Sequence, residues 1–179
     1  MLFGGVFSEL EDRRGKRGKR YELEPLLCAI VLALLTEAKS LRKIEGFIVE
    51  RRAQLNLLFG TSWRKAPCWV AIRDFLLTLD EQELESVFRA HAQQQISPPP
   101  GRRFIAIDGK ALRGSADRLN DVAARQLVSA FDHDDLIVLG HVEVSDKSNE
   151  IPAAQSLIES FGLAGRVFTM DALHCQKKR

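Results

Sequence analysis

The sequence contains few cysteines, and they do not have the spacings that hold metals or disulfide frameworks. Its three cysteines, Cys28, Cys68 and Cys175, are odd in number, lie far apart and form no CxxC pair. This usage argues against a zinc site and against a disulfide-stabilised secreted domain, and it favours a reducing compartment. We therefore expect a cytoplasmic protein.

Long apolar runs and a strong net charge are also lacking. No stretch of about 18 residues is apolar and free of charge, which argues against a membrane span. The N-terminus lacks the basic, apolar and small-residue succession of a signal peptide. The formal net charge of +2 is too small to identify a partner. With 179 residues, 45% of them hydrophobic, the chain can form one domain or two small ones with a real core.

One local segment is nevertheless strongly basic. Residues 11–20 contain six lysines and arginines together with two glycines. This composition predicts a flexible cationic arm rather than a helix. Two interpretations stay open. The arm could lie along nucleic-acid phosphates with salt-dependent affinity, or it could be a solvated tail.

The next segment, up to about Gln95, predicts helices throughout. Apolar residues recur at the i, i+4 spacing of one helical face between positions 26 and 35. Ser40 is a suitable N-cap for a second helix, which Gly60 would end. Pro67 opens a third helical segment, and the sequence that starts at Asp80 has the form of a capping box for a fourth.

Two functions are compatible with these short helices. They could include a helix-turn-helix that places one helix in the DNA major groove. They could equally form a small bundle that only packs or dimerises, and periodicity does not separate the two. The side chains that test DNA contact are Arg64, Lys65 and Arg73.

A proline-rich stretch marks the clearest boundary in the chain. Three consecutive prolines cannot continue a helix or serve as a central strand, and they favour an extended spacer. We therefore predict a helical domain over residues 1–96, a linker over residues 97–102 and an α/β domain over residues 103–179.

Two apolar runs beyond the linker each end in a carboxylate. Residues 104–107 have no polar face, which predicts a central strand that is covered on both sides and ends at Asp108. Residues 166–170 form a second such run, which ends at Asp171. Two strands that end in this way can place both acids at one edge of a sheet, where open α/β sheets usually bind ligands. The structural alternative is that both aspartates are turn residues at strand ends.

A hairpin is predicted between these two runs. Residues 126–131 and 136–144 have the pattern of strands, and residues 109–125 have that of a polar connection. The acidic residues between the two strands, Asp132, His133, Asp134 and Asp135, are natural turn residues. They could also be interpreted as a metal cluster, but the available hairpin geometry favours the turn.

A crossover helix is predicted between the hairpin and the last strand. Ser148 or Asn149 is a suitable N-cap, with Glu150 and Pro152 in the first turn. A strand that follows such a helix lies parallel to the strand before the crossover. The predicted order is therefore three strands, a helix and a parallel fourth strand.

Four ordered segments resemble one protein family. They are Ile107-Asp-Gly-Lys-Ala-Leu-Arg-Gly-Ser115, Leu127-Val-Ser-Ala-Phe131, Lys147-Ser-Asn-Glu-Ile-Pro152 and Thr169-Met-Asp-Ala-Leu-His-Cys-Gln176. These segments resemble the H-repeat-associated, ISAs-type insertion-sequence transposases, which are DDE transposases. The N-terminal helices, including Arg17-Gly-Lys-Arg-Tyr-Glu-Leu23, resemble the helical domain associated with that family. The resemblance runs from about residue 8 to residue 176.

The resemblance implies a fold and a site. The fold would be α/β, an all-helical N-terminal domain followed by an incomplete ribonuclease H-like mixed sheet. Asp108 and Asp171 would be the first two acids of the catalytic triad and would bind Mg²⁺, with two ions in the complete family site. Lys110 and Arg113, beside the first acid, would contact DNA phosphate, unless they are ordinary surface charges.

The resemblance also implies a reaction, metal-dependent nicking at transposon ends followed by strand transfer into target DNA. In-line cleavage needs an activated water or 3′-hydroxyl and relief of charge on the leaving oxygen, which two divalent ions about 4 Å apart provide. Mg²⁺ prefers hard oxygen ligands, so a few carboxylates and the substrate phosphate suffice. The expected partner is DNA, both transposon ends and target, and homo-oligomer formation is left open.

The sequence departs from the family after Asp171. Only eight residues follow it, whereas the family's third acid is a glutamate well downstream on a helix that packs against the sheet. Glu150 and Glu159 precede Asp171 and are poor substitutes in order. We therefore expect a truncated transposase that is catalytically incomplete. The alternatives are a non-catalytic DNA-binding or oligomerising fragment that regulates a full-length transposase, and a general metal-dependent nuclease with a two-acid site.

Overall fold

The chain forms a mixed α/β structure with five helices and four strands. The structure is a computed structural model that describes residues 5–15, 19–96, 101–112, 115, 124–144, 150–161 and 165–170. It has two compact units, Met1–Val87 and Phe88–Arg179, which we call the N-terminal and C-terminal units. No helix in these described ranges is long and apolar enough to cross a membrane.

The N-terminal unit is helical, as the periodicity predicts. The helices of the chain before the sheet are α1 (Leu23–Leu35), α2 (Leu41–Phe59), α3 (Trp69–Leu76) and α4 (Glu81–Gln95). The boundary between the two units falls inside α4, before the proline-rich stretch. Residues 97–100 lie outside the described residues, and the predicted linker over residues 97–102 stays a prediction.

The predicted helix caps are present. Ser40 Oγ accepts a hydrogen bond from the backbone N–H of Lys43 at 3.3 Å, and Gly60 ends α2 with φ of 66°, a left-handed conformation that glycine adopts without strain. Asp80 Oδ1 accepts the backbone N–H groups of Gln82 at 2.9 Å and Glu83 at 3.1 Å. The hydrogen bond from Glu83 is the main cause that lowers the pKa of the Asp80 carboxyl below its ordinary value.

Two arginines of the basic segment are held by acids of the N-terminal unit, whereas phosphate binding by the rest of the segment stays a prediction. Arg13 forms an ion pair with Asp80 at 3.2 Å. The side chain of Arg14 is only 6% exposed, and its Nε donates to Asp12 Oδ1 at 2.8 Å. These two arginines are therefore neither a free arm nor a solvated tail, because nearby acids hold them. Residues 16–18 lie outside the described residues.

The C-terminal unit is built on a four-stranded mixed sheet. Its strands are β1 (Arg103–Ala111), β2 (Gln126–Asp132), β3 (Ile137–Val144) and β4 (Arg166–Met170), with α5 (Glu150–Ser160) between the last two. The strand order is β3-β2-β1-β4. The β1–β2 and β2–β3 pairs are antiparallel and the β1–β4 pair is parallel, which confirms the predicted hairpin and the predicted parallel fourth strand. The predicted N-cap of α5, Ser148 or Asn149, lies outside the described residues.

Strand β1 is longer than predicted. It continues to Ala111, where the sequence predicts a polar connection from residue 109 onward. Its added residues pair with β2, from Asp108 opposite Ser129 to Ala111 opposite Gln126. Backbone hydrogen bonds to the neighbouring antiparallel strand stabilise this polar stretch. The pattern of apolar residues in the sequence does not predict these hydrogen bonds. Asp108 therefore lies inside a strand rather than at its end.

The sheet has one covered face and one open face in the described part of the chain. Buried residues on the covered face pack with Ala154 and Leu157 of α5; they are Ile105, Ile107, Val128, Ala130, Leu139 and Val144. Phe104, on the other face, is 48% exposed. The prediction that residues 104–107 are covered on both sides is therefore wrong here. Burial along β1 alternates with period two, as it does in a strand with one face in the core.

The hairpin turn is organised by a buried arginine. Asp132 is 0% exposed and Arg103 is 3% exposed. Arg103 Nη1 lies 2.5 Å from Asp132 Oδ2 and 2.6 Å from Asp135 Oδ2. The hydrogen bond to Asp135 is the main cause that raises the pKa of Arg103.

The carboxylates of Asp132 and Asp135 have structural roles in this turn. Asp132 Oδ1 accepts the backbone N–H groups of Asp134 at 2.9 Å and Asp135 at 3.1 Å. No group of three or more His, Cys, Asp or Glu side chains within the described ranges could hold a metal ion. The hydrogen bonds of Asp132 confirm the turn predicted for residues 132–135.

Replacing Asp132 with Asn should lower the free energy of unfolding by about 2 kcal/mol, because it removes one of the two carboxylates that neutralise the buried Arg103 and weakens a charge-assisted hydrogen bond, while Asp135 remains in place. Chemical denaturation followed by circular dichroism measures this loss. The matched control is Asp134→Asn, which neutralises an exposed acid of the same turn. Equal stability losses in the two variants would contradict the role assigned to the buried pair.

Candidate active site

Asp108 lies on the open face of the sheet, within a row of polar residues. Its partner on β2 is Ser129, and the partner of Ser129 on β3 is His141. Directly paired residues of antiparallel strands share a face, so the three side chains project from the same side. Lys110 and Glu143 belong to the next row on this face, since positions two apart in a strand point the same way. Asp108, Lys110 and His141 are exposed.

The Asp108 carboxylate has no structural task in the described part of the chain. Its side chain is exposed and makes no hydrogen bond or ion pair with another described residue. Because Asp108 pairs with Ser129 inside a strand, the alternative that it is a turn residue does not hold. An exposed carboxylate that stabilises nothing locally is available to a ligand.

The strand on the other side of Asp108 is the parallel strand β4. Ala106 pairs with Thr169, and Ile107 pairs with Met170. The next residue in each segment of the sequence is an aspartate, Asp108 in one and Asp171 in the other. Asp171 lies outside the described residues, so the convergence of the two carboxylates stays a prediction. Arg113 lies outside them too.

Helix α5 covers the face of the sheet opposite to Asp108. It packs through Ala154 and Leu157 against the buried residues of β1, β2 and β3. Glu159 is exposed on this helix. The sequence order already makes Glu159 and Glu150 poor substitutes for a third acid, and the position of α5 adds a spatial reason.

The open face partly fits a divalent cation. An exposed aspartate supplies the hard oxygen that Mg²⁺ prefers, but Mg²⁺ is generally held by one or two carboxylates together with substrate phosphates and water. Of the two predicted metal-binding acids, Asp108 and Asp171, only Asp108 is among the described residues. The complete site therefore depends on Asp171.

Sequence reasoning assigned no role to Ser129 or His141. Their place beside Asp108 follows from the pairing register of β1, β2 and β3. The alternating pattern of β3 predicts that one face of this strand is exposed to solvent. It does not show which residue of β1 lies in the same row as His141. Only the register supplies that information.

Three cationic residues were predicted to test DNA contact by the N-terminal helices, and the structure places two of them at a cavity and the third on a helix. Arg64 and Lys65 line a cavity of about 500 Å³ in the N-terminal unit. Arg73 lies on α3, where its Nη2 forms an ion pair with Asp74 Oδ1 at 2.7 Å. A helix-turn-helix role stays a prediction.

Comparisons with known proteins give relatives along most of the chain. Residues 5–92 match the family described as DDE_Tnp_1-associated. The H repeat-associated putative transposase YhhI of Escherichia coli strain K12 is 41% identical over 95% of this chain and 44% of its own length. The putative transposase YncI of the same strain is 33% identical over 93% of this chain and 66% of its own length.

A third relative also matches most of this chain over only part of its own length. The putative transposase YncI of Escherichia coli O157:H7 is 32% identical over 95% of this chain and 43% of its own length. The chain therefore spans less than half the length of this relative and of YhhI.

Replacing Asp108 with Asn should change the free energy of unfolding by less than about 0.5 kcal/mol, because the carboxylate is exposed and holds no described neighbour. Chemical denaturation of the variant beside the parent protein measures this. A loss as large as that expected for Asp132→Asn would show that Asp108 is structural.

Proposed function

We propose that this chain, whose residues 5–92 match the DDE_Tnp_1-associated family and whose relatives YhhI and YncI are named as transposases, is an insertion-sequence transposase chain whose partner is DNA. The proposed reaction is metal-dependent nicking of transposon ends followed by strand transfer. Asp108 and Asp171 are the proposed metal-binding carboxylates. Lys110 and Arg113 are the proposed contacts to DNA phosphate.

One observation carries this proposal, the parallel register of β1 and β4. Ile107 and Met170 are paired, and neighbouring strands lie about 4.8 Å apart. If the pairing continues by one residue, Asp108 and Asp171 would be partners on the open face. The two carboxylates would then be close enough to share a cation, which would offset their mutual repulsion.

The proposed roles follow from the charge and exposure of each side chain. Bound Mg²⁺ would supply Lewis-acid activation of the attacking oxygen and relief of charge on the leaving oxygen. Asp108 would fix the cation on the open face. Lys110, on the same face two residues later, would hold a neighbouring phosphate as a point charge. Arg113, three residues after Lys110 in the sequence, is the second cation that we assign to phosphate binding.

The topology supports a ribonuclease H-like fold as part of the proposal. Three antiparallel strands come first, then a helix, then a strand parallel to β1. This is the element order in which the sequence resembles the DDE transposases. We assign two metal-binding carboxylates to this chain and leave the third acid of the family unassigned.

The proposal predicts cation binding that depends on both aspartates. Mn²⁺, an oxygen-seeking substitute for Mg²⁺, can be titrated while electron paramagnetic resonance counts the free ion. Asp108→Asn and Asp171→Asn should each weaken binding by more than about tenfold, since loss of a residue that merely supports a metal ligand already costs 10–100-fold. Mg²⁺ should compete with Mn²⁺ for the site.

The control is Asp134→Asn, which removes an exposed acid of the same unit that lies in the hairpin turn. Its affinity for Mn²⁺ should match that of the parent protein. The proposal fails if Asp108→Asn binds Mn²⁺ as tightly as Asp134→Asn does.

A further inference from the structure

A cavity in the N-terminal unit has the composition of a nucleotide site. It has a volume of about 500 Å³, within the range of small-molecule sites in proteins. Its lining combines cations, aromatic rings and hydroxyl groups. The cations are Arg20, Arg64 and Lys65, the aromatic residues are Tyr21 and Trp63, and Glu22 contributes a carboxylate.

The cations of this cavity are not neutralised by the described part of the chain. The side chains of Arg20, Arg64 and Lys65 are exposed, and none forms an ion pair or hydrogen bond with another described residue. Among the described residues that line the cavity, Glu22 is the only acid. This differs from Arg13, whose charge is held by Asp80. The cavity therefore attracts anions.

The aromatic residues of the cavity lining, Tyr21 and Trp63, make several contacts with the rest of the N-terminal unit. Trp63 is 7% exposed, and its ring meets that of Tyr21 edge to face, with centroids 5.4 Å apart and planes at 86°. Asn56 accepts the Trp63 backbone N–H and donates to its carbonyl, both at 3.1 Å. The Tyr21 hydroxyl donates to the Lys65 carbonyl at 3.2 Å. These bonds hold the loop in place before any ligand arrives.

The shape and charge of the cavity select the form of the ligand. A concavity of about 500 Å³ can enclose one unpaired nucleotide, but not a base that stays paired and stacked inside a duplex. Each phosphodiester carries a single charge, so three cations and one acid match about two consecutive phosphates of a strand. Cations beside an aromatic ring are the usual combination in single-strand sites.

We propose that this cavity binds one unpaired nucleotide of a DNA strand. Arg20, Arg64 and Lys65 hold the flanking phosphates, and the base lies against Tyr21. The assignment rests on the proposed function because it names the form in which DNA meets the N-terminal unit.

The test is binding of a fluorescein-labelled pentathymidylate, followed by fluorescence anisotropy at several salt concentrations. The double variant Arg64→Ala/Lys65→Ala should weaken binding at least about tenfold at low salt. It should also lower the salt slope of log affinity by about 1.4, at roughly 0.7 for each lost single-strand contact. The substitutions spare the fold, since the Arg64 and Lys65 carbonyls that accept from Arg52 and Tyr21 are main-chain atoms.

A matched control removes the same charge elsewhere on this unit. Lys39 and Arg51 are exposed and lie 3.8 Å from Glu37 and 3.0 Å from Glu50, respectively. Lys39→Ala/Arg51→Ala should bind the strand nearly as the parent does. Equal losses in the two double variants would overturn the proposal, because they would indicate a general effect of net charge.

Competition distinguishes the sources of phosphate. Unlabelled pentathymidylate should displace the probe at far lower concentrations than thymidine monophosphate, inorganic phosphate or a blunt duplex. Displacement by any of these three at concentrations similar to those of the strand would overturn the assignment to an unpaired strand.

A second readout places the ligand in the cavity. The chain has two tryptophans, so Trp69→Phe leaves Trp63 as the only one. Its fluorescence should change on binding of pentathymidylate. Binding measured by anisotropy without any change at Trp63 would place the strand elsewhere and overturn the proposal.

Failure here can be separated from failure of the proposed function. Arg64→Ala/Lys65→Ala should retain Mn²⁺ binding that depends on Asp108, and Asp108→Asn should retain strand binding. If no strand binds the parent protein while Mn²⁺ binding persists, the cavity assignment is overturned and the metal site stands.

Discussion

The pairing of β1 between an antiparallel and a parallel neighbour is the constraint on which the candidate active site depends. Pairing with β2 keeps the backbone of Asp108 inside the sheet, although its side chain is polar and exposed. Pairing with β4 brings Ile107 beside Met170, so each segment continues in sequence to an aspartate. The proposed meeting of Asp108 and Asp171 depends on this register, because a shift of one residue would reverse the face on which each residue of β4 lies relative to β1.

Strand β1 contains one charged residue that is buried and neutralised and another that is exposed and unpaired with any described residue. At its start, Arg103 is buried on the covered face and neutralised by Asp132 and Asp135 of the hairpin turn. Five positions later, Asp108 is exposed on the open face and stabilises no described residue. The first arrangement contributes to the stability of the sheet, and the second leaves a carboxylate for a ligand. Functional sites often depart in this way from what stability alone would select.

Much of this arrangement is predictable from the sequence because local rules govern it. The caps at Ser40 and Gly60 and the acidic hairpin turn depend on short-range chemistry. The burial of Arg14, whose guanidinium lies over the Phe75 ring, and the extension of β1 to Ala111 depend on partners distant in the sequence, which periodicity does not identify. The cavity was missed for the same reason, since its lining comes from two separated segments.

The central claim is that positions 108 and 171 meet on one face, and oxidative cross-linking tests it most directly. Asp108→Cys/Asp171→Cys, in a chain whose native cysteines are replaced, should form a disulfide rapidly, because paired positions on neighbouring strands fall within the 4.4–6.8 Å Cα separation that a disulfide spans. The control Asp108→Cys/Glu159→Cys joins opposite faces and should not cross-link. Absence of the 108–171 disulfide, or its formation no faster than in the control, would contradict the account.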